Sequence, residues 1–174
     1  RLRGRRGDHA YAWLDPTDPQ PPPAPALGVE KQAAAEALVA ALRLPNGHVP
    51  DDDQRAACLD GLSTRIQLLL GPPGTGKTTT TGVATLVRVA ALHVPGDLVL
   101  VAGPTHTAVD TALRAIADSV GPVAAAGEAA GLPLPPVHVA KIHSGAVTDP
   151  SPDGIDDVSA GDRDGLRTFI DTWT

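Results

Sequence analysis

Eight residues constrain this chain more than any others: Gly71-Pro72-Pro73-Gly74-Thr75-Gly76-Lys77-Thr78. Their spacing is G-x-x-x-x-G-K-[ST], which demands a particular backbone. Gly74 and Gly76 tolerate positive φ, so the chain turns back on itself and successive amides point into one concavity. Pro72 and Pro73 stiffen the approach. The apolar run Ile66-Gln-Leu-Leu-Leu70 leads in and reads as a buried strand, and a helix from Lys77 to about Leu92 leads out. Strand, loop and helix in this order predict a cradle for phosphate. Amides and the positive helix end hold its oxygens, Lys77 reaches the β- and γ-phosphates, and the Thr78 hydroxyl is placed to ligate Mg²⁺. Gly71, Pro72, Pro73, Gly74, Thr75, Gly76, Lys77, Thr78 and Thr79 are therefore the candidate nucleoside-triphosphate residues. Lys77 and Thr78 are the candidate catalytic pair. The plain alternative is a glycine-rich turn carrying a surface lysine.

Around this loop the pattern alternates. Val29 to Leu42 is rich in Ala and Leu at helical spacing, and a second helix runs from the acids Asp51-Asp-Asp53 to about Leu62. Asp97-Leu-Val-Leu-Val-Ala102 reads as a second buried strand, Thr105 to about Val120 as a helix, and Val137-His-Val-Ala-Lys141 as a third strand. Strands alternating with helices predict an α/β fold with a parallel sheet of right-handed crossovers. Residues 1–28 read as a disordered tail and linker, with six prolines between positions 16 and 25. A proline-binding partner is the other reading of that run, and nucleic-acid contact the other reading of the arginines at 1–6. Residues 29–148 form the partial α/β lobe, and 149–174 an acidic loop with a short helix. The aspartates of that last stretch do not have the spacing of an EF-hand calcium loop and read as a solvated loop.

Composition narrows the class. The chain has 174 residues with 42% apolar content, enough for one core, but only four aromatics: Tyr11, Trp13, Phe169 and Trp173. The core must be aliphatic. The single cysteine, Cys58, allows no internal disulfide and predicts a reducing, cytoplasmic setting with no disulfide-linked partner. No apolar run is long enough for a membrane helix. Net charge is −6, with four arginines among residues 1–6, so the rest of the chain sums to −10. Bulk charge cannot drive nucleic-acid binding here; any such contact must be local. No methionine occurs, position 1 included, which predicts a piece of a longer reading frame.

Gly-Pro-Pro-Gly-Thr-Gly-Lys-Thr followed by Thr79 and Thr80 resembles motif I of superfamily 1 helicases, in particular the 1B-type branch. The octapeptide also fits AAA-type ATPases. Seventeen residues before Gly71, Gln54 in Pro-Asp-Asp-Asp-Gln-Arg-Ala-Ala resembles the helicase Q motif. The resemblance implies adenine recognition, and a carboxamide offers the donor and acceptor that the N6/N7 edge of adenine requires. The bland alternative is a surface glutamine on a helix. Gly103-Pro104-Thr105-His106-Thr107-Ala-Val-Asp110 resembles motif Ia, which touches the single-strand backbone. Pro104, Thr105, His106 and Thr107 are the nucleic-acid candidates, His106 standing where asparagine is commoner. Asp110 reads equally as a first-turn helix acid. Lys141-Ile-His143 lies where motif Ib would fall, and a solvated lysine is the competing reading.

The resemblance spans about residues 50–143. No apolar strand ends in Asp-Glu or Asp-Asp, so no Walker B carboxylate is found, and Phe169-Ile-Asp171 is too short and poorly placed to be one. The expectation is thus an incomplete RecA-like P-loop lobe. It would bind ATP and Mg²⁺ within an ATP-dependent translocase on single-stranded DNA or RNA, with hydrolysis requiring further motifs. Two rivals stay open: an AAA-type ATPase that does not act on nucleic acid, and a non-catalytic nucleotide-binding module.

Overall fold

The computed structural model describes residues 26–44, 47–64, 67–94, 98–144, 151 and 153–173. The arginine cluster and the proline run expected as a tail lie outside the described residues, as do Ile66 and Asp97. Among the described residues four helices come first: α1 (Val29–Ala41), α2 (Asp52–Ser63), α3 (Lys77–Leu92) and α4 (His106–Ala130). Two short strands follow, β1 (Ala140–His143) and β2 (Asp156–Ser159), and then α5 (Arg163–Trp173). The architecture is a helix-rich α/β fold.

The core is aliphatic, as the shortage of aromatics requires. Leu38 and Val39 of α1, Leu62 of α2, Val83, Leu86 and Val87 of α3, and Val123 of α4 are fully or almost fully buried. Helix α3 lies at the centre, packed against α2 and α4. Its contact with α4 depends on Gly82, where a Cβ would stand 2.9 Å from the Ala115 carbonyl oxygen. Cations of one helix close the carbonyl end of another, where the helix dipole favours them. Arg88 of α3 donates to Gly61 O and to Thr64 O at the end of α2, and Lys31 of α1 donates to Ala91 O of α3 at 3.2 Å.

The parallel sheet is smaller than expected and lies elsewhere. Residues 67–70 and 98–102 carry no ladder and are not strands, contrary to the expectation for 66–70 and 97–102. Leu68 is 80% exposed, Leu70 88%, Leu98 88% and Leu100 81%. An apolar run becomes a buried strand only where neighbours supply hydrogen bonds on both sides and cover both faces; among the described residues none does. The observed sheet is the parallel pair β1–β2, registered from Ala140 opposite Asp156 to His143 opposite Ser159. The third expected strand, 137–141, is displaced toward the C-terminus, behind Pro133, Pro135 and Pro136, which have no amide to donate. Asp156 and Asp157, read as part of an acidic loop, belong to β2.

Helix α4 also outruns its expected end near Val120. It passes through Pro122 to a left-handed cap at Gly131, φ 71°, with Leu132 N donating to Gly127 O at 2.9 Å. Burial of Val123, Ala126 and Gly127, and packing of α4 against α1, outweigh the bond lost at the proline. Among the described residues no helix is long and apolar enough to cross a membrane.

Candidate functional site

The phosphate-type loop adopts the backbone its glycines permit. Gly74 has φ 82°, and Gly76, the N-cap of α3, has φ 72° and ψ 17°. Both lie in the left-handed region, where a Cβ is strained. Gly76 is constrained twice, because a Cβ there would also stand 3.0 Å from Gln54 Nε2. Thr80 N donates to Gly76 O at 2.8 Å and closes the first turn, which leaves the amides of Lys77, Thr78 and Thr79 without intrahelical acceptors. These amides and the helix dipole form the positive rim.

Lys77 folds across the mouth of the loop, where Nζ donates to Gly71 O at 2.7 Å and to Pro72 O at 2.5 Å. Thr75 Oγ1 donates to the same Pro72 carbonyl at 3.0 Å, bracing the loop from within. Both lysine bonds are to neutral acceptors, so phosphate oxygens would compete for the ammonium with stronger, charge-assisted bonds. Thr78 lines two clefts next to the loop. A Mg²⁺ ion fits a site in which one threonine hydroxyl joins phosphate oxygens and water, since this cation keeps much of its hydration shell. No trio of His, Cys, Asp or Glu side chains that could hold a metal occurs among the described residues.

Gln54 lies against the loop, its Nε2 donating to Thr75 O at 3.4 Å. A capping box holds it there: Gln54 N donates to Asp51 Oδ1 at 2.8 Å, and Asp51 N donates to Gln54 Oε1 at 3.1 Å. His48 Nε2 stands 3.2 Å from the same Oε1. The glutamine is thus both a helix cap and a wall of the loop. It lines a cleft of about 660 Å³ between α2, the outer side of the loop and α4. Cys58 lies buried beside that cleft, and burial pushes its thiol up to about 11.

A second cleft, of about 600 Å³, opens between α3 and the start of α4. Lys77, Thr78 and Thr81 face Thr105, Thr107 and Thr111 across it. The motif Ia-like threonines therefore stand beside the loop lysine and not on a remote surface. Thr105 caps α4, its Oγ1 accepting from Ala108 N at 3.1 Å. Thr107 O accepts from Thr111 Oγ1 at 2.7 Å. Pro104 and His106 are exposed at this helix start.

Two polar clusters escaped the sequence reading. Lys141, expected to be a solvated lysine or a motif Ib cation, is buried, its side chain 8% exposed and its Nζ 2.6 Å from Asp110 Oδ1. The pair ties β1 to α4, and the one local signal for it was an acid in the first turns of α4. Asp157 of β2 accepts from Ser151 Oγ and Ser151 N, each at 2.7 Å, and lies 2.7 Å from His143 Nε2 of β1. The Ser151 bonds, then the His143 contact, hold the Asp157 carboxyl down at about 2. Both Ser151 and His143 act on the carboxylate and not on each other, so the trio clamps the β1–β2 connection and has no nucleophile–base pair.

The model of the family described as "AAA domain" matches residues 50–145, from the approach to Gln54 to just beyond Lys141 and His143. No curated protein and no solved structure matches the chain. The matched segment takes in the loop with its two left-handed glycines, the capped glutamine beside it and the threonine-capped α4, and it covers more than half of the chain. The chain belongs to this AAA domain family (AAA_11), a domain found in superfamily 1 helicase-like proteins.

Proposed function

We propose that this chain is the ATP-binding element of a superfamily 1-like helicase or translocase that acts on single-stranded DNA or RNA, and that its helices belong to a RecA-like P-loop lobe. The observation that carries the reading is the contact of Gln54 Nε2 with Thr75 O. It puts a carboxamide suited to an adenine edge beside a cradle suited to polyphosphate, which a generic glycine turn has no reason to do. On nucleotide binding Lys77 exchanges Gly71 O and Pro72 O for the β- and γ-phosphate oxygens, and Thr78 offers its hydroxyl to the accompanying Mg²⁺. The cation supplies charge neutralisation on the transferring phosphoryl group when bound. Lys77 stabilises the same developing charge.

Nucleic-acid action is supported by placement. Thr105, the N-cap of α4, and Thr107 in its first turn line the Lys77 cleft, so a strand phosphate held there would be sensed at the loop. One observation favours the rival, an ATPase without nucleic acid: the Thr105 hydroxyl is already engaged as a helix cap. A calorimetric titration with Mg-ATP, alone and with a single-stranded oligonucleotide, tests both. Saturable heat that Lys77→Ala abolishes supports ATP binding, and its absence in folded protein overturns the proposal. Because coupling is reciprocal, an oligonucleotide that tightens ATP supports the translocase reading; no effect favours the rival. Among the described residues no carboxylate lines the Lys77 cleft to orient water, so turnover by this chain is expected to be slow.

A further inference from the structure

The apolar stem that leads into the phosphate-type loop has no sheet to hold it. Among the described residues, 67–70 have no ladder and make no backbone hydrogen bond, and Leu68 and Leu70 are exposed. A loop on an untethered stem has to be ordered by its ligand, and that ordering weakens binding. The stem does have a hold, made by a side chain. Gln67 Nε2 donates to Ala57 O of α2 at 2.7 Å. In an α-helix that carbonyl already accepts from the amide four residues on, so Gln67 uses its second lone pair.

The seat for this carboxamide is cut into α2 by Gly61. A Cβ at Gly61 would stand 2.8 Å from Gln67 Oε1 and 3.6 Å from its Cδ. Glycine weakens a helix relative to alanine, and Gly61 lies in the last turn of α2 without a positive φ, so its backbone gives no reason for glycine. The reason is the room it leaves. Arg88 of α3 donates to Gly61 O and, at 3.4 Å, to Thr64 O, which fixes the seat to the helix that begins at Lys77. One turn before Ala57, Gln54 Nε2 reaches Thr75 O within the loop. Helix α2 thus holds the loop at two points, ahead of Gly71 and at Thr75.

From these contacts we infer that Gln67 is a positioning residue for the phosphate-type loop and that Gly61 is the seat that admits it. By fixing the stem four residues before Gly71, Gln67 sets where the Gly71 carbonyl that holds Lys77 Nζ lies. The cradle therefore keeps its binding shape before a nucleotide arrives. The inference rests on the ATP-binding reading above and adds to it a side chain that acts through the loop.

The test titrates Mg-ATP by calorimetry into the whole chain and into Gln67→Ala, Gly61→Ala and the double variant, with the urea midpoint of each. Gln67→Ala should weaken Mg-ATP by about 2- to 10-fold, the worth of one hydrogen bond. Gly61→Ala should weaken it too, because its methyl group expels the carboxamide. The double variant should bind no more weakly than Gln67→Ala, while its urea midpoint rises above that of Gln67→Ala, alanine being the better helix former. A merely structural role would make affinity follow stability; here the two part. Full affinity in either single variant, additive losses in the double variant, or an affinity that recovers with the urea midpoint would each overturn the inference and leave the ATP reading intact. Wild-type protein that takes up no Mg-ATP removes that reading, and the inference with it.

Discussion

Lys141 Nζ and Asp110 Oδ1 stand 2.6 Å apart, and the lysine side chain is almost wholly buried. Removing only the acid leaves an ammonium out of water without a counter-charge. Asp110→Ala is expected to cost about 2–4 kcal/mol, given that the carboxylate retains some solvent. The double variant Asp110→Leu with Lys141→Met should recover most of that loss, because an apolar pair restores packing without an orphaned charge. Urea denaturation of the single and double variants measures both; additive losses would show that the two side chains do not act as a pair.

Gly76 and Gly74 both have positive φ, but only Gly76 faces a neighbour. Gly76→Ala is therefore expected to lower stability by about 1–2 kcal/mol and also to displace Gln54 from the loop. Gly74→Ala should carry the backbone strain alone, since nothing lies within 4 Å of its added Cβ. The amide signals of Gln54 report the difference: shifted in the first variant, unshifted in the second.

At Gly82 the obstacle is backbone, the Ala115 carbonyl at 2.9 Å from a built Cβ. A carbonyl within a long helix cannot turn aside as a flexible side chain would. Gly82→Val is expected to separate α3 from α4 and to cost about 1–3 kcal/mol, read from the thermal or urea midpoint.

Asp157 has its carboxyl lowered to about 2 against an ordinary value of 3.8. Its ionised form is favoured in the folded chain, so its contribution is fully present above pH 3.8 and is lost as pH falls through about 2. Ser151→Ala removes the side-chain bond that lowers the carboxyl most and should move its titration back toward the ordinary range. A carboxyl-detected NMR titration of the two proteins gives the answer directly, and identical curves would show that Ser151 is not the cause.

The loop and its three flanking helices were legible in the amino acids because their determinants are local. Gly74 and Gly76 announce left-handed turns, Asp51 and Gln54 form a cap within four consecutive positions, and the limits of α3 agree with those expected from Lys77 and Leu92. What could not be read is what depends on distant partners. Residues 67–70 are as apolar as a buried strand, but apolarity does not say whether a neighbouring strand is there to accept its hydrogen bonds. The helix expected to end near Val120 runs on through Pro122, and the contact that carries α4 past it is made with α1, far away in the chain. The same holds for Lys141, whose burial depends on an acid across the fold. Of the site, the cradle residues were visible individually; that Thr105 and Thr107 share a cleft with Lys77 was not.

Leu68, Leu70, Leu98 and Leu100 face outward, and that sets how copies of the molecule behave toward one another. Their greasy outer rows favour adhesion, while a net charge of −6 holds like copies apart. Electrolyte tips the balance, because screening shortens the reach of the repulsion and leaves the adhesion intact. Sedimentation should consequently speed up as sodium chloride is raised, and glutamate substituted at Leu70 and Leu100 should keep the particles dispersed.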